Sequence, residues 1–191
     1  MKIKKLMIVM LVYSSIVSVT VSCGKFYPEN YIYLEIPDLV EVEDGKILFT
    51  VGETLWMETA TSRYLPMLEE APHLLDVFET TGEEKLHHTI SIYRKGDDGF
   101  YSRYSNISAE NVNAEVGETE DRGSSLRVES FLNEAEDAYE SRVGIVLTEP
   151  GEYALRGSKM YTSFGAITFT VSIETTILNA NEAGYEFTVM E

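Results

Sequence analysis

Three histidines, a single cysteine and 32 carboxylates are the residues of this chain with the most chemistry to offer. His87 and His88 are adjacent, and neighbours on a strand project to opposite faces, so a regular strand cannot close both on one ion. His88 shares parity with Ile90 and Ile92 and is expected to be packed; His87 falls with the polar set and is expected to be exposed. His73 stands alone. The chain has no H-E-x-x-H, no G-x-S-x-G and no glycine loop for phosphate. The carboxylates are spread along it, and the separation that defines a glycosidase pair is not encoded in spacing. Gly96-Asp97-Asp98-Gly99 and Glu118-Thr119-Glu120-Asp121 lack the alternating ligand positions of a twelve-residue calcium loop. They read as a hairpin turn and a solvated loop. No catalytic residue, metal or cofactor is expected.

Aromatics are the larger surplus, with 12 Tyr, 8 Phe and one Trp. Aromatic faces flanked by carboxylates are how many strand-rich modules hold sugars or extended peptides. The candidate ligand contacts are Phe100, Tyr101 and Tyr104 on a hairpin over 97–104, and Tyr161 in the segment 159–164. Both stretches lie between better-patterned strands. Trp56, between Leu55 and Met57, reads as a core or corner residue.

The elements that position these residues repeat with period two. Val143, Ile145 and Leu147 alternate with polar neighbours, as do Ile167, Phe169, Val171 and Ile173, and the segment 86–94 does the same. Weaker runs cover 31–36, 47–51, 55–60, 126–132, 152–156 and 185–189. The expected core includes Ile47, Phe49, Ile90, Ile92, Val143, Ile145, Leu147, Tyr153, Leu155, Phe169 and Val171. One polar face per strand argues for antiparallel sheets packed on each other. The one helical candidate, 64–80, is cut short by Pro66 and Pro72. Residues 133–139 read as a single turn or loop, and 106–125 as a long connection with at most one edge strand.

Two passages refine the fold. Glu149-Pro150-Gly151-Glu152-Tyr153-Ala154-Leu155 resembles the turn that leads into a late strand of immunoglobulin-like domains, where a tyrosine packs across the corner. Val51-Gly52-Glu53-Thr54-Leu55 is similar to the start of an early strand in such domains. The resemblance implies an all-β, antiparallel β-sandwich, immunoglobulin-like, with loop insertions, over residues 31–191.

Composition excludes several classes. At 44% hydrophobic and 25% charged, the chain is neither disordered nor polytopic. Its formal charge of −17 repels phosphate backbones, so no nucleic-acid partner is expected. The N-terminus supplies an address. Lys2, Lys4 and Lys5 precede the apolar stretch 6–21, which Ser14, Ser15, Ser18 and Thr20 interrupt, as in a cleaved secretory signal. Thr20-Val21-Ser22-Cys23-Gly24 then resembles the lipobox of bacterial lipoproteins, with Thr20 in the place usually held by leucine. That resemblance implies a signal peptide over 1–22, a tri-acylated Cys23 and a tethering linker over 23–30. Gly24 after the cysteine implies the outer membrane. Loss of the three lysines would take the net charge from −17 to −20. The expected function is a lipid-anchored, non-enzymatic interaction module of the cell envelope, binding protein or glycan. The alternatives are a glycan hydrolase, accessory or weak, built on paired carboxylates, and a structural envelope subunit.

Overall fold

The computed structural model describes residues 31–67, 73–104, 107–162 and 169–191. Cys23, the signal over 1–22 and the linker over 23–30 lie outside the described residues, as do Phe164 and Ile167. The described strands are β1 (Tyr31–Glu35), β2 (Val40–Val42), β3 (Leu48–Thr50), β4 (Thr54–Ser62), β5 (Tyr64–Pro66) and β6 (Leu74–Asp76). A one-turn helix α1 (Val77–Thr81) precedes β7 (Lys85–Lys95), β8 (Tyr101–Arg103), β9 (Val112–Val116), β10 (Glu118–Asp121) and β11 (Leu126–Asn133). Last come β12 (Ala138–Val146), β13 (Gly151–Tyr161), β14 (Thr170–Glu174) and β15 (Tyr185–Met190).

Period-two burial runs through the long strands. In β4, Leu55, Met57, Thr59 and Thr61 are buried while Trp56, Glu58, Ala60 and Ser62 are not. The alternation buries one row of side chains and leaves the other to water. Helix α1 is short because both its ends are fixed locally. Asp76 accepts from the Glu79 N–H at 3.0 Å, and Gly82 closes it in the left-handed region at φ 69°.

The fold is all-β and sandwich-like, dominated by one curled sheet ordered β1-β14-β13-β7-β11-β12-β4-β2. Long strands change neighbours along their length, and this bends the sheet over itself. Strand β13 pairs with β15 through Gly151–Leu155 and with β14 through its last three residues. Strand β12 meets β11 over 138–140 and β9 over 142–145. At the far side β2 returns to the chain beyond β14, where Leu178 N–H donates to Val40 O at 2.8 Å. Strands β5 and β6 form a separate ribbon.

The corner is built on aromatics. Tyr153 Oη donates to Glu149 O at 3.0 Å, four residues upstream across the Pro150-Gly151 turn. Its ring stacks on Phe187 at 5.4 Å, and Phe187 meets Phe49 edge-on at 5.6 Å. These rings tie β3, β15 and β13 together in the interior.

Several expectations need correcting. The sheet is mixed, since β1 runs parallel to β14 and β3 parallel to β15. Ile47 and Phe169 are 56% and 43% exposed. Regular pairing starts one residue later in each case, at Leu48 and Thr170, so strand parity does not reach them. His87 is buried like His88, at 4% and 2% exposed, because central β7 is covered on both faces along its first half. The stretch 106–125 carries two strands, β9 and β10, paired on β12 and β11. Within 64–80 lie the strands β5 and β6 as well as the start of α1.

Candidate functional site

The second half of β7 differs from the first in keeping one face solvated. Strand β8 flanks it on one side and β13 on the other, with β15 beyond. Register places Tyr101, Lys95, Glu152 and Thr188 in one cross-strand row, and Arg103, Tyr93, Ala154 and Glu186 in the next. Same-face neighbours on paired strands interact directly. A tight turn holds β8 in place. Gly96 N–H donates to Phe100 O and Gly99 N–H to Gly96 O, both at 2.9 Å. Gly99 takes φ 81°, a conformation that disfavours a side chain.

Each polar group on this face has a defined role. Lys95 Nζ bonds Glu152 Oε2 at 2.6 Å, and the carboxylate raises the ammonium pKa. Tyr101 Oη donates to Glu186 Oε1 at 2.6 Å, while Asn181 Nδ2 donates to Glu186 Oε2 at 2.6 Å. Burial, then the Glu186 contact, pushes the Tyr101 hydroxyl up to about 12. The same two donors hold the Glu186 carboxyl below its ordinary range. Ala154 points to this face yet is fully buried beneath the side chains that cross it.

Two arginines converge on Tyr93. The Arg156 guanidinium carbon lies 4.3 Å from the ring centroid and that of Arg103 5.8 Å. Arg156 Nε donates to Ala183 O at 2.6 Å, and Arg103 Nη1 to Ser124 Oγ at 3.3 Å. Among the described residues, these are the two arginines without a carboxylate partner; Arg63, Arg94, Arg122, Arg127 and Arg142 each have one or more. Beside Arg156 opens a hollow of about 190 Å³, lined also by Gly157, Thr176, Ile177, Asn181 and Glu182.

The sequence-predicted aromatics separate into three environments. Phe100 stands 76% exposed at the end of the turn, and Tyr101, next to it, belongs to the face just described. Tyr104 packs inward, edge-on to Tyr153 at 5.4 Å. Tyr161 pairs with His87 in register, with ring centroids 5.7 Å apart, whereas Tyr101 pairs with Lys95. Eight residues of strand separate those positions, about 26 Å at 3.3 Å per residue. Tyr161 therefore belongs to a different part of the surface. Tyr93, Arg103 and Arg156 are not among the ligand contacts expected from the sequence. Their signal was parity, Tyr93 with Lys95 and Arg103 with Tyr101, and it acquires meaning once the strands are placed side by side.

Another aromatic–arginine contact lies on the outer face of β4 and β12. Arg142 bonds Glu43 at 2.6 Å, Glu58 at 2.8 Å and Glu115, and its guanidinium carbon sits 4.3 Å from the Trp56 ring centroid. Trp56 pairs with Gly144, where a Cβ would stand 2.8 Å from the indole. The chain matches no protein-family model, and no curated protein shows significant similarity to it.

Proposed function

We propose that the protein is a lipid-anchored, non-enzymatic interaction module of the bacterial cell envelope, held through Cys23 and binding protein or glycan through the solvated face of β8, β7, β13 and β15. The observation that carries this reading is that rigid aromatic and charged side chains stand in two cross-strand rows on an open face. Such a face suits recognition, because its groups are already ordered before a partner arrives. A general acid for glycoside cleavage needs a raised pKa. Among the described residues the perturbed carboxyls, Glu53, Asp76, Glu129 and Glu186, are instead all shifted down by hydrogen bonds and cations.

Topology supports the polarity such a module needs. Strand β1 runs parallel to β14 and antiparallel to β13, so Tyr31 enters at the end of the sheet where Tyr161 and His87 lie. Phe100 and the 96–99 turn lie at the opposite end of β7. A linker reaching Tyr31 from a lipidated Cys23 would leave the hairpin facing away from the membrane.

Fractionation of cells carrying Cys23→Ala tests the anchor: the variant is expected in the soluble fraction or stalled uncleaved. Normal processing with retention on the membrane would discard it. Screening the purified protein against envelope glycans and surface proteins, with Phe100→Ala and Tyr101→Ala alongside, tests the face. Turnover of any glycan or peptide, abolished by one carboxylate substitution, would overturn the binding reading.

A further inference from the structure

We propose that Arg156 and Arg103, with Tyr93 between them, form a recognition site for a sugar bearing a single carboxylate, of the uronic acid class. The inference rests on the binding reading above and names the ligand chemistry of that face.

The chain carries 32 acidic against 15 basic side chains, so an arginine here is surrounded by available carboxylates. Two carboxylates of this face are nevertheless committed elsewhere. Glu152 is taken by Lys95, and both oxygens of Glu186 are taken by Tyr101 and Asn181. Arg156 uses Nε for its bond to Ala183 O and, among the described residues, keeps its two terminal nitrogens without an acceptor. The two distances to the Tyr93 centroid, 4.3 and 5.8 Å, put the guanidinium carbons no more than about 10 Å apart. A guanidinium edge of this kind matches a carboxylate bidentately.

The body attached to that carboxylate follows from the neighbouring hollow and from the charge. About 190 Å³ lie at the base of Arg156, room for one pyranose ring, where the Glu182 carboxylate and the second amide hydrogen of Asn181 suit hydroxyls, while the Thr176 hydroxyl is bonded to Asp38. Net charge of −17 repels polyanions, and Glu182 in the hollow disfavours a doubly charged phosphate ester more than a singly charged carboxylate. One carboxylate on an otherwise neutral, hydroxyl-rich ring meets both conditions. Tyr93, overlain by cations, is the platform that holds the guanidiniums in place.

The test uses the full chain in detergent, titrated with methyl β-glucuronide and, separately, methyl β-glucoside and sodium acetate, and followed by amide shifts in nuclear magnetic resonance spectra. Saturable shifts near Tyr93, Arg156 and Asn181 are expected with the glucuronide, and binding at least tenfold weaker with the glucoside or acetate. Arg156→Gln should weaken glucuronide binding at least tenfold and Arg103→Gln severalfold, with unchanged circular dichroism and with Arg122→Gln as an unaffected control. Equal binding of glucoside overturns the role of the arginines, and equal binding of acetate overturns the role of the ring. No saturable shift with the glucuronide overturns the site altogether. If that happens while the protein still captures an envelope component without turnover, the ligand class falls and the binding reading stands.

Discussion

Among the places where arginine meets an aromatic ring on this molecule, two have opposite electrostatics. Arg142 lies on Trp56 and is bonded to Glu43, Glu58 and Glu115, which come from three different parts of the chain. Arg103 and Arg156 lie near Tyr93 with no carboxylate among the described residues bound to either. The first cluster is saturated and links the 43–45 turn, β4, β9 and β12. The second retains unsatisfied donors on a solvated face. The contrast separates an arginine that holds strands together from arginines that remain available to a ligand. The discriminating feature is the full set of acceptors around the guanidinium, since the ring contact is common to both.

Acid offers the largest effect with which to test the contrast, because arginine stays charged throughout. His88 is fully buried, and burial, aided by the charge of His87, lowers its pKa to about 4. The unfolded chain takes up that proton near pH 6.5, so stability is complete above that value. It should fall by about 3 kcal/mol between pH 6.5 and 4, then level off. His87, lowered mainly by its own burial, adds loss in the same direction. Urea midpoints across this range should show the fall, and His88→Leu should remove most of it. A fall that survives the substitution would show that His88 is not its source.

Gly144→Ala should follow in size. The added Cβ would stand 2.5 Å from Thr54 Cγ2 and 2.8 Å from Trp56 Cε3, forcing the indole away from its seat beside Arg142. Overpacking of this kind costs about 1–3 kcal/mol, readable in urea unfolding. Arg142→Gln should lower the midpoint by less, and the difference from the parent should narrow in 1 M salt, roughly the concentration that shortens screening to about 3 Å. An unchanged midpoint would deny that Arg142 joins strands. The smallest changes belong to half-buried Arg156→Gln, which loses one bond to Ala183 O, and to exposed Arg103→Gln, within about 0.5 kcal/mol. If either destabilises as Arg142→Gln does, the distinction between the two clusters is lost.

The strand pattern was largely legible from residue order. Alternation in 86–94, 142–148, 152–156 and 185–189 corresponds to β7, β12, β13 and β15. The Glu149-Pro150-Gly151-Glu152-Tyr153 passage anticipated a corner that the Tyr153 to Glu149 hydrogen bond realises. Weakly apolar strands were harder to read. Strands β9 and β10 bury almost nothing, and they exist because β12 and β11 offer them a free edge. Short-range propensity carries no trace of that edge.

Sequence alone determined that this chain alternates, turns often, carries a strong negative charge and has no motif of a familiar catalyst. It also marked Phe100 and Tyr101 as aromatics with weak claims on a core. Tertiary structure alone decided that Tyr104 packs inside, that His87 is buried, and that Tyr93, Arg103 and Arg156 share one surface. The reason is physical. A period of two states that a strand has two faces, whereas which face meets water depends on strands pairing over long sequence separations. Arg103 and Arg156 are 53 residues apart, and they share Tyr93 because β8 and β13 flank β7.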